Sequence, residues 1–273
     1  MPKVRPIVFL SDYGLEDEFV GICHAVIARI SPASPVIDLT HAIPPQDVLR
    51  GALVLGRSIR YLPTDAVILA VVDPGVGTPR RPVAAETLQG GQLMIGPDNG
   101  LLSLAWGERG GVARAVEIVE PKVILEPVSA TFHGRDIFAP AAAHLADGIP
   151  LSELGPDVDP ASLVQLHLPA PGVETGRIDG EVFGVDRFGN VQLSAGLDHL
   201  ERAGLAGAIR LEAVTRGEAT PVRRAATFGD VNEGEFALIV DSGGLLAVVL
   251  NRGSAAEALG LAPGDSLTIQ AAG

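Results

Sequence analysis

Apolar positions in the first part of the chain fall in short unbroken runs, each closed by a polar turn. Residues 7–10 (IVFL) lead into Ser11-Asp12-Tyr13-Gly14, residues 36–39 into Thr40-His41, and residues 66–72 (AVILAVV) into Asp73-Pro74-Gly75. Continuous runs of this length suit parallel strands covered on both faces. Between them the spacing changes to a helical one. Glu16 and Asp17 are expected to open a helix running to about Ile30, with acids in its first turn as the helix dipole favours. Residues 47–60 form a second helix after Pro44-Pro45. Strands alternating with helices predict an α/β unit with a mostly parallel sheet. Further on, 83–86 and 93–95 form a strand pair joined through Gln89-Gly90-Gly91. Residues 101–106 are a short helix and 116–119 another strand. A helix then runs to Ala146, starting at Phe138 or Ala139 because Pro140 suits a first turn.

The pattern changes after residue 168. Residues 169–176 (PAPGVETG) look like a Pro/Gly linker. Beyond it, runs at 178–185, 190–193, 208–211, 236–240, 245–249 and 266–269 are short strands with few helices between them. The expected organisation is an N-terminal α/β domain over 1–168 and a smaller C-terminal all-β, barrel-like domain over 177–273.

Composition narrows the partners. Net charge is −13, which makes nucleic-acid backbones and anionic membranes poor partners. Of the 20 basic residues only Lys3 and Lys122 are lysines, so Schiff-base chemistry has little to draw on. Cys23 is the single cysteine, which rules out a disulfide framework or a thiolate metal cluster. No apolar stretch is long enough to span a membrane, and the start, MPKVRPIVFLSD, runs straight into a strand without a signal peptide. A cytoplasmic protein is the expectation.

The candidate chemistry sits where buried strands end. Asp73 lies at the carboxyl end of such a run, above a Pro/Gly turn, with Arg80 and Arg81 close behind. That is where open α/β sheets bind ligands, although an Asp that caps its turn fits the same residues. Asp12 repeats the arrangement and doubles as a candidate N-cap. His133 stands among polar neighbours just before a helix. In the second domain, Phe188 beside Asn190 offers a stacking face and an amide fork, both able to address a purine-like ring; a β-turn with a packed Phe is the alternative. Asp241-Ser242-Gly243-Gly244 is similar to the nucleophile segment of trypsin-like proteases, but the double barrel and upstream His segment are missing. There is no P-loop, complete GxGxxG, HExxH or two-His metal spacing.

Taken together, SDYG at 11–14, VDPGVGTPRR at 72–81, GPDNGLL at 96–102, TFHGRDIFAPAAAHLA at 131–146, DRFGNVQLS at 186–194 and the SGG…LNRGSAAEALGL segment at 242–261 resemble the S-adenosyl-L-methionine hydroxide adenosyltransferases, relatives of fluorinase and chlorinase. The resemblance runs in order over almost the whole chain. It implies an α/β domain and a β-barrel domain, assembled as a homotrimer with ligand sites at subunit interfaces. It implies that water or hydroxide attacks C5′ of S-adenosyl-L-methionine, giving adenosine and L-methionine, with no cofactor and no metal. The family's Asp-Arg-His set falls on Asp73, Arg80 and His133. Its ribose-binding acid matches Asp12, and Phe132 lies along the ligand. The adenine and methionine contacts match Asp186, Phe188, Asn190 and Ser242, with Asn251 and the backbone near Arg252. In the halogenating relatives a tryptophan packs near the sugar; the matching position here is Gln46.

The chemistry of these residues suits that reaction. A sulfonium leaves as a neutral thioether and needs no general acid, so only the water needs orienting and relief of a proton. Asp73 or His133 can accept a hydrogen bond from the water, with Arg80 fixing the acid. Asp73 also disfavours a halide: at about 4 Å from a carboxylate it costs roughly 4 kcal/mol at an effective dielectric near 20. Two rival readings stay open: a metal-dependent hydrolase built on Asp12, Asp73, His133 and Asp136, and a module that senses S-adenosyl-L-methionine or adenosine without turnover.

Overall fold

A computed structural model describes residues 4–272. They divide into two units, the first ending at Leu166 and the second beginning at His167.

In chain order the first unit runs β1 (Ile7–Ser11), α1 (Phe19–Ile30), β2 (Val36–Thr40), α2 (Val48–Ser58), β3 (Val67–Val71), β4 (Pro82–Thr87), β5 (Leu93–Pro97), α3 (Ser103–Gly107), β6 (Val112–Glu117), α4 (Ala139–Ala146) and β7 (Asp157–Val158). Every residue of β1 and β3 is buried, because the sheet is covered on both faces. Ile7, Phe9, Val67 and Leu69 pack with α1 and α4, while Val8, Leu10, Ile68 and Ala70 pack with α2 and α3. Alternation on a strand covered twice yields a continuous apolar run.

The sheet order is β2-β1-β3-β5-β4-β6-β7. The strands β2, β1, β3 and β5 are parallel, but β4 is antiparallel to both β5 and β6, and β6 to β7. The sheet is therefore mixed, which corrects the mostly parallel expectation. The short connection from β4 to β5 is the reason: a parallel return needs a crossover of a dozen or more residues. Element ends also move. Helix α1 starts at Phe19 rather than Glu16, whose carboxylate accepts instead from Leu15 N at 3.1 Å. Strand β6 begins at Val112 and stops at Glu117, leaving Val119 exposed. The α4 helix begins at Ala139, preceded by a π-helical turn over Gly134–Phe138.

The second unit contains β8 (Gly172–Glu174), β9 (Arg177–Val185), β10 (Val191–Gly196), α5 (Leu197–Arg202), β11 (Arg210–Thr215), β12 (Glu218–Arg224), β13 (Phe236–Val240), β14 (Leu245–Leu250), α6 (Ala255–Leu259) and β15 (Ser266–Ala271). Its sheet runs β10-β14-β13-β12-β11-β15-β9, and a further pairing of β10 with β9 closes a seven-stranded barrel. The long β9 makes the closure: its first half pairs with β15 and its second half with β10. Ile178, Val191, Leu211, Leu238, Val248 and Ile269 point into the barrel core. β8 lies within the stretch read as a linker and pairs with β9. Among the described residues no helix is long and apolar enough to cross a membrane.

Candidate active site

Strands β1 and β3 are parallel neighbours with Ser11 opposite Val71. Asp12 directly follows β1 and Asp73 stands two residues past the end of β3, so both emerge on the same edge of the sheet. From Asp73 the chain turns back on itself, with Val76 N donating to Asp73 O at 3.2 Å and Thr78 N to Gly75 O at 3.1 Å. This turn returns Arg80 to the carboxylate. Arg80 Nε donates to both Asp73 oxygens at 3.0 and 3.1 Å, and Nη2 donates to Oδ2 as well. The same Nη2 lies 2.8 Å from His133 Nδ1, and the guanidinium stacks over Phe138. Both side chains of the ion pair are under a tenth exposed, at 9% and 7%.

Two glycines make this approach feasible. Gly77 has φ +75, and a Cβ there would meet Ala130 O at 2.5 Å. The 73–80 loop can thus lie against the 130–133 loop, which delivers His133 to Arg80. At Gly134 a Cβ would stand 2.0 Å from the Tyr13 hydroxyl, so only glycine admits Tyr13 beside His133.

Arg80 is permanently protonated and donor-only, so His133 Nδ1 must accept from it. Neutral His133 then carries its hydrogen on Nε2. Burial first, and the Arg80 charge second, hold the His133 pKa below its ordinary value, outweighing Asp73 and Asp136. Asp12 moves the other way: burial raises its pKa and the charge of Asp73 adds to this, against a lowering hydrogen bond from Gln46. That bond runs from Gln46 N to Asp12 Oδ2 at 2.8 Å and uses a left-handed Gln46 backbone at φ +66. Asp12, Tyr13, Gln46, Asp73, Thr131 and His133 line a cavity of about 270 Å³. Phe132 is not among its lining residues; its ring packs against Tyr13 and Phe19, which are. Sequence reasoning did not single out Tyr13 or Thr131 as cavity residues. Tyr13 had one signal, its place beside Asp12.

In the second unit Phe188, Asn190, Asn251 and Arg252 line a cavity of about 500 Å³ together with Phe228 and Leu250. Phe188 is 77% exposed, a large ring offered outward. Asp186 serves its own turn: Oδ1 accepts from Phe188 N and Asn190 N at 2.8 and 3.0 Å, and Oδ2 from Asn190 Nδ2 at 2.8 Å. It therefore aims the Asn190 amide and leaves the amide oxygen as an acceptor. Asn251 Nδ2 donates to Val231 O at 2.8 Å, and Arg252, with φ +60, pairs with Glu233 at 3.0 Å. Ser242 sits in the turn between β13 and β14, outside the cavity lining.

The profile described as the SAM hydroxide adenosyltransferase N-terminal domain matches residues 7–155, and that of the C-terminal domain matches 180–268. The chain belongs to the SAM hydroxide adenosyltransferase family. It is 51% identical, over 97% of both chains, to a protein of Salinispora tropica named (R)-S-adenosyl-L-methionine hydrolase. A Thermus thermophilus protein of the same name is 48% identical, with 96% of this chain and 98% of that one covered. Among solved structures, an uncharacterized conserved protein from Thermotoga maritima superposes with a TM-score of 0.90 at 37% identity, covering 97% of this chain and 99% of that one.

In this member of the SAM hydroxide adenosyltransferase family the rival metal set does not assemble. Asp136 is turned to Arg135 and to Ser129 N, at 2.6 and 2.8 Å. Among the described residues, Asp12, Asp73, His133 and Asp136 do not converge as ligands.

Proposed function

We propose that the protein hydrolyses S-adenosyl-L-methionine to adenosine and L-methionine. The observation that carries the mechanism is Arg80, which joins Asp73 to His133 beside a cavity at the strand ends. The substrate follows from the relatives named (R)-S-adenosyl-L-methionine hydrolase. A water held in line with the C5′–S bond attacks C5′. The C–O bond forms as the C–S bond breaks, and the bonding pair leaves on sulfur as neutral methionine. The attacking oxygen becomes strongly acidic as it bonds to carbon, and Asp73 takes its proton and passes it to solvent.

The tautomer divides the labour. Because His133 Nδ1 accepts from Arg80, His133 presents an N–H, so the acceptor is Asp73. Arg80 donates once to Asp73 Oδ1 and twice to Oδ2, so Oδ1 keeps the lone pair that a water can use. In this reading Asp12 binds the ribose hydroxyls, Phe188 stacks on adenine and Asn190 pairs with its edge. Phe132, Asp186, Ser242, Asn251 and Arg252 complete recognition. The chemistry needs no metal or cofactor, and the working protein is a cytoplasmic homotrimer.

The test is chromatography after incubation with S-adenosyl-L-methionine in ¹⁸O-water. Adenosine labelled on the 5′-oxygen is expected. Absence of adenosine rejects the activity, and unlabelled adenosine rejects direct attack by water.

A further inference from the structure

A second polar cluster lies outside the residues used above. His24, on α1, and Asp38, on β2, meet at 2.8 Å between Nε2 and Oδ1. His41 Nε2 approaches the same oxygen at 3.0 Å. One ligand atom from each of the three lies within 4.8 Å of the other two, the only such trio of His, Cys, Asp and Glu among the described residues. The positions 24, 38 and 41 follow no helical or hairpin ligand spacing, which conceals the cluster in the sequence.

His41 is the informative member. Its side chain is 2% exposed, and its Nδ1 lies 2.8 Å from Ser11 Oγ. Its Nε2 is buried with no hydrogen bond: Asp38 Oδ1 is near but off the line such a bond requires. A buried ring nitrogen whose one ion-pair contact misses hydrogen-bond geometry is under-satisfied, so a group on its axis would stabilise it. His24 and Asp38 are 35% and 42% exposed, which leaves an entry path and room for water.

We propose that His24 Nε2, an Asp38 carboxylate oxygen and His41 Nε2 bind a divalent transition-metal ion, with water completing the shell. Two imidazoles and a carboxylate suit zinc and its neighbours rather than magnesium or calcium. Metal–ligand bonds of about 2.0–2.2 Å in a tetrahedral shell put ligand atoms about 3.3 Å apart. The two short separations need only open slightly. Ser11 supplies the outer partner that ligating histidines use: with Nδ1–H donating to Oγ, Nε2 is free for the ion. The ion would act by position. His41 O accepts from Gly14 N at 2.8 Å, and Ser11 adjoins Asp12, so an ion on His41 fastens the loop that carries Asp12. No step at C5′ passes through it. The competing account is an inert His–Asp–His chain.

The experiment uses the full chain after removal of metal by a chelator, titrated with ZnCl₂ by calorimetry and with Co²⁺ by visible absorption. One equivalent of Zn²⁺ is expected to bind, and Co²⁺ should give the intense bands of a four-coordinate site. His24→Ala and Asp38→Asn, both at partly exposed positions, should each weaken Zn²⁺ binding more than about tenfold, since loss of even an outer-shell partner has about that effect. Zn²⁺ should raise the melting temperature of the wild type and not of the variants. Absence of binding, or binding unchanged in both variants, overturns the proposal. Neither readout depends on turnover, so the result stands apart from the fate of the hydrolase reading.

Discussion

Asp73→Asn keeps the shape of the carboxylate and removes its charge and basicity. Turnover should fall by roughly 10²–10⁴-fold, the usual contribution of a positioned acid–base group, with substrate affinity far less changed. Single-turnover kinetics beside equilibrium binding checks both halves of that statement. His133 gives a pH test with a definite sign. Its folded pKa lies below the ordinary 6.5, so below 6.5 the unfolded chain binds the extra proton first. The stability this provides is complete above the unfolded value and is lost as pH falls through the lowered folded one. His133→Gln should therefore lose less stability than the wild type on acidification from 6.5, which melting curves along a pH series would detect. In the second unit, Asn190→Ala removes an amide that Asp186 has already aimed, and adenosine binding by calorimetry should weaken by about 1–3 kcal/mol. The acids at the strand ends were readable because each interrupts a buried run. Gln46 was placed only by resemblance. Its role through a backbone N–H in a left-handed conformation has no side-chain signature.

At the scale of elements, the site depends on two loops touching. Gly77→Ala introduces both an unfavourable φ and a collision with Ala130 O, so it should destabilise the first unit by more than about 1 kcal/mol in denaturant titration. Adenosine formation should drop further than the unfolded fraction explains, because Arg80 and His133 are pushed apart. The strands β1, β3, β13 and β14 were readable from apolar runs that burial demanded. The start of α1 was misjudged because Glu16 and Asp17 satisfy a helix-opening rule, yet Glu16 is spent on its own loop. Strand β12, with the sequence EATPVRR, carries little apolar signal; its place comes from pairing with β11 and β13.

For the whole molecule, the two-unit division followed from a change in pattern that no single residue carries. The direction of β4 did not, since hydrophobic runs give burial and not polarity of pairing. The proposed homotrimer is tested by light scattering alongside activity: turnover should fall as the oligomer dissociates on dilution, and a fully active monomer would contradict the assembly. The closure of the second unit carries a consequence for how it is made. β9 pairs with β10 nearby in sequence, but also with β15, which follows almost all the rest of the barrel. Such long-range pairing slows folding, because loop-closure entropy is lost before the contacts form. Until β15 docks, the facing edges of β9 and β11 are unpaired and can recruit strands from other chains. A nascent or partly unfolded barrel is thus the aggregation-prone form of this protein, and its vulnerability ends when one late strand fills one gap.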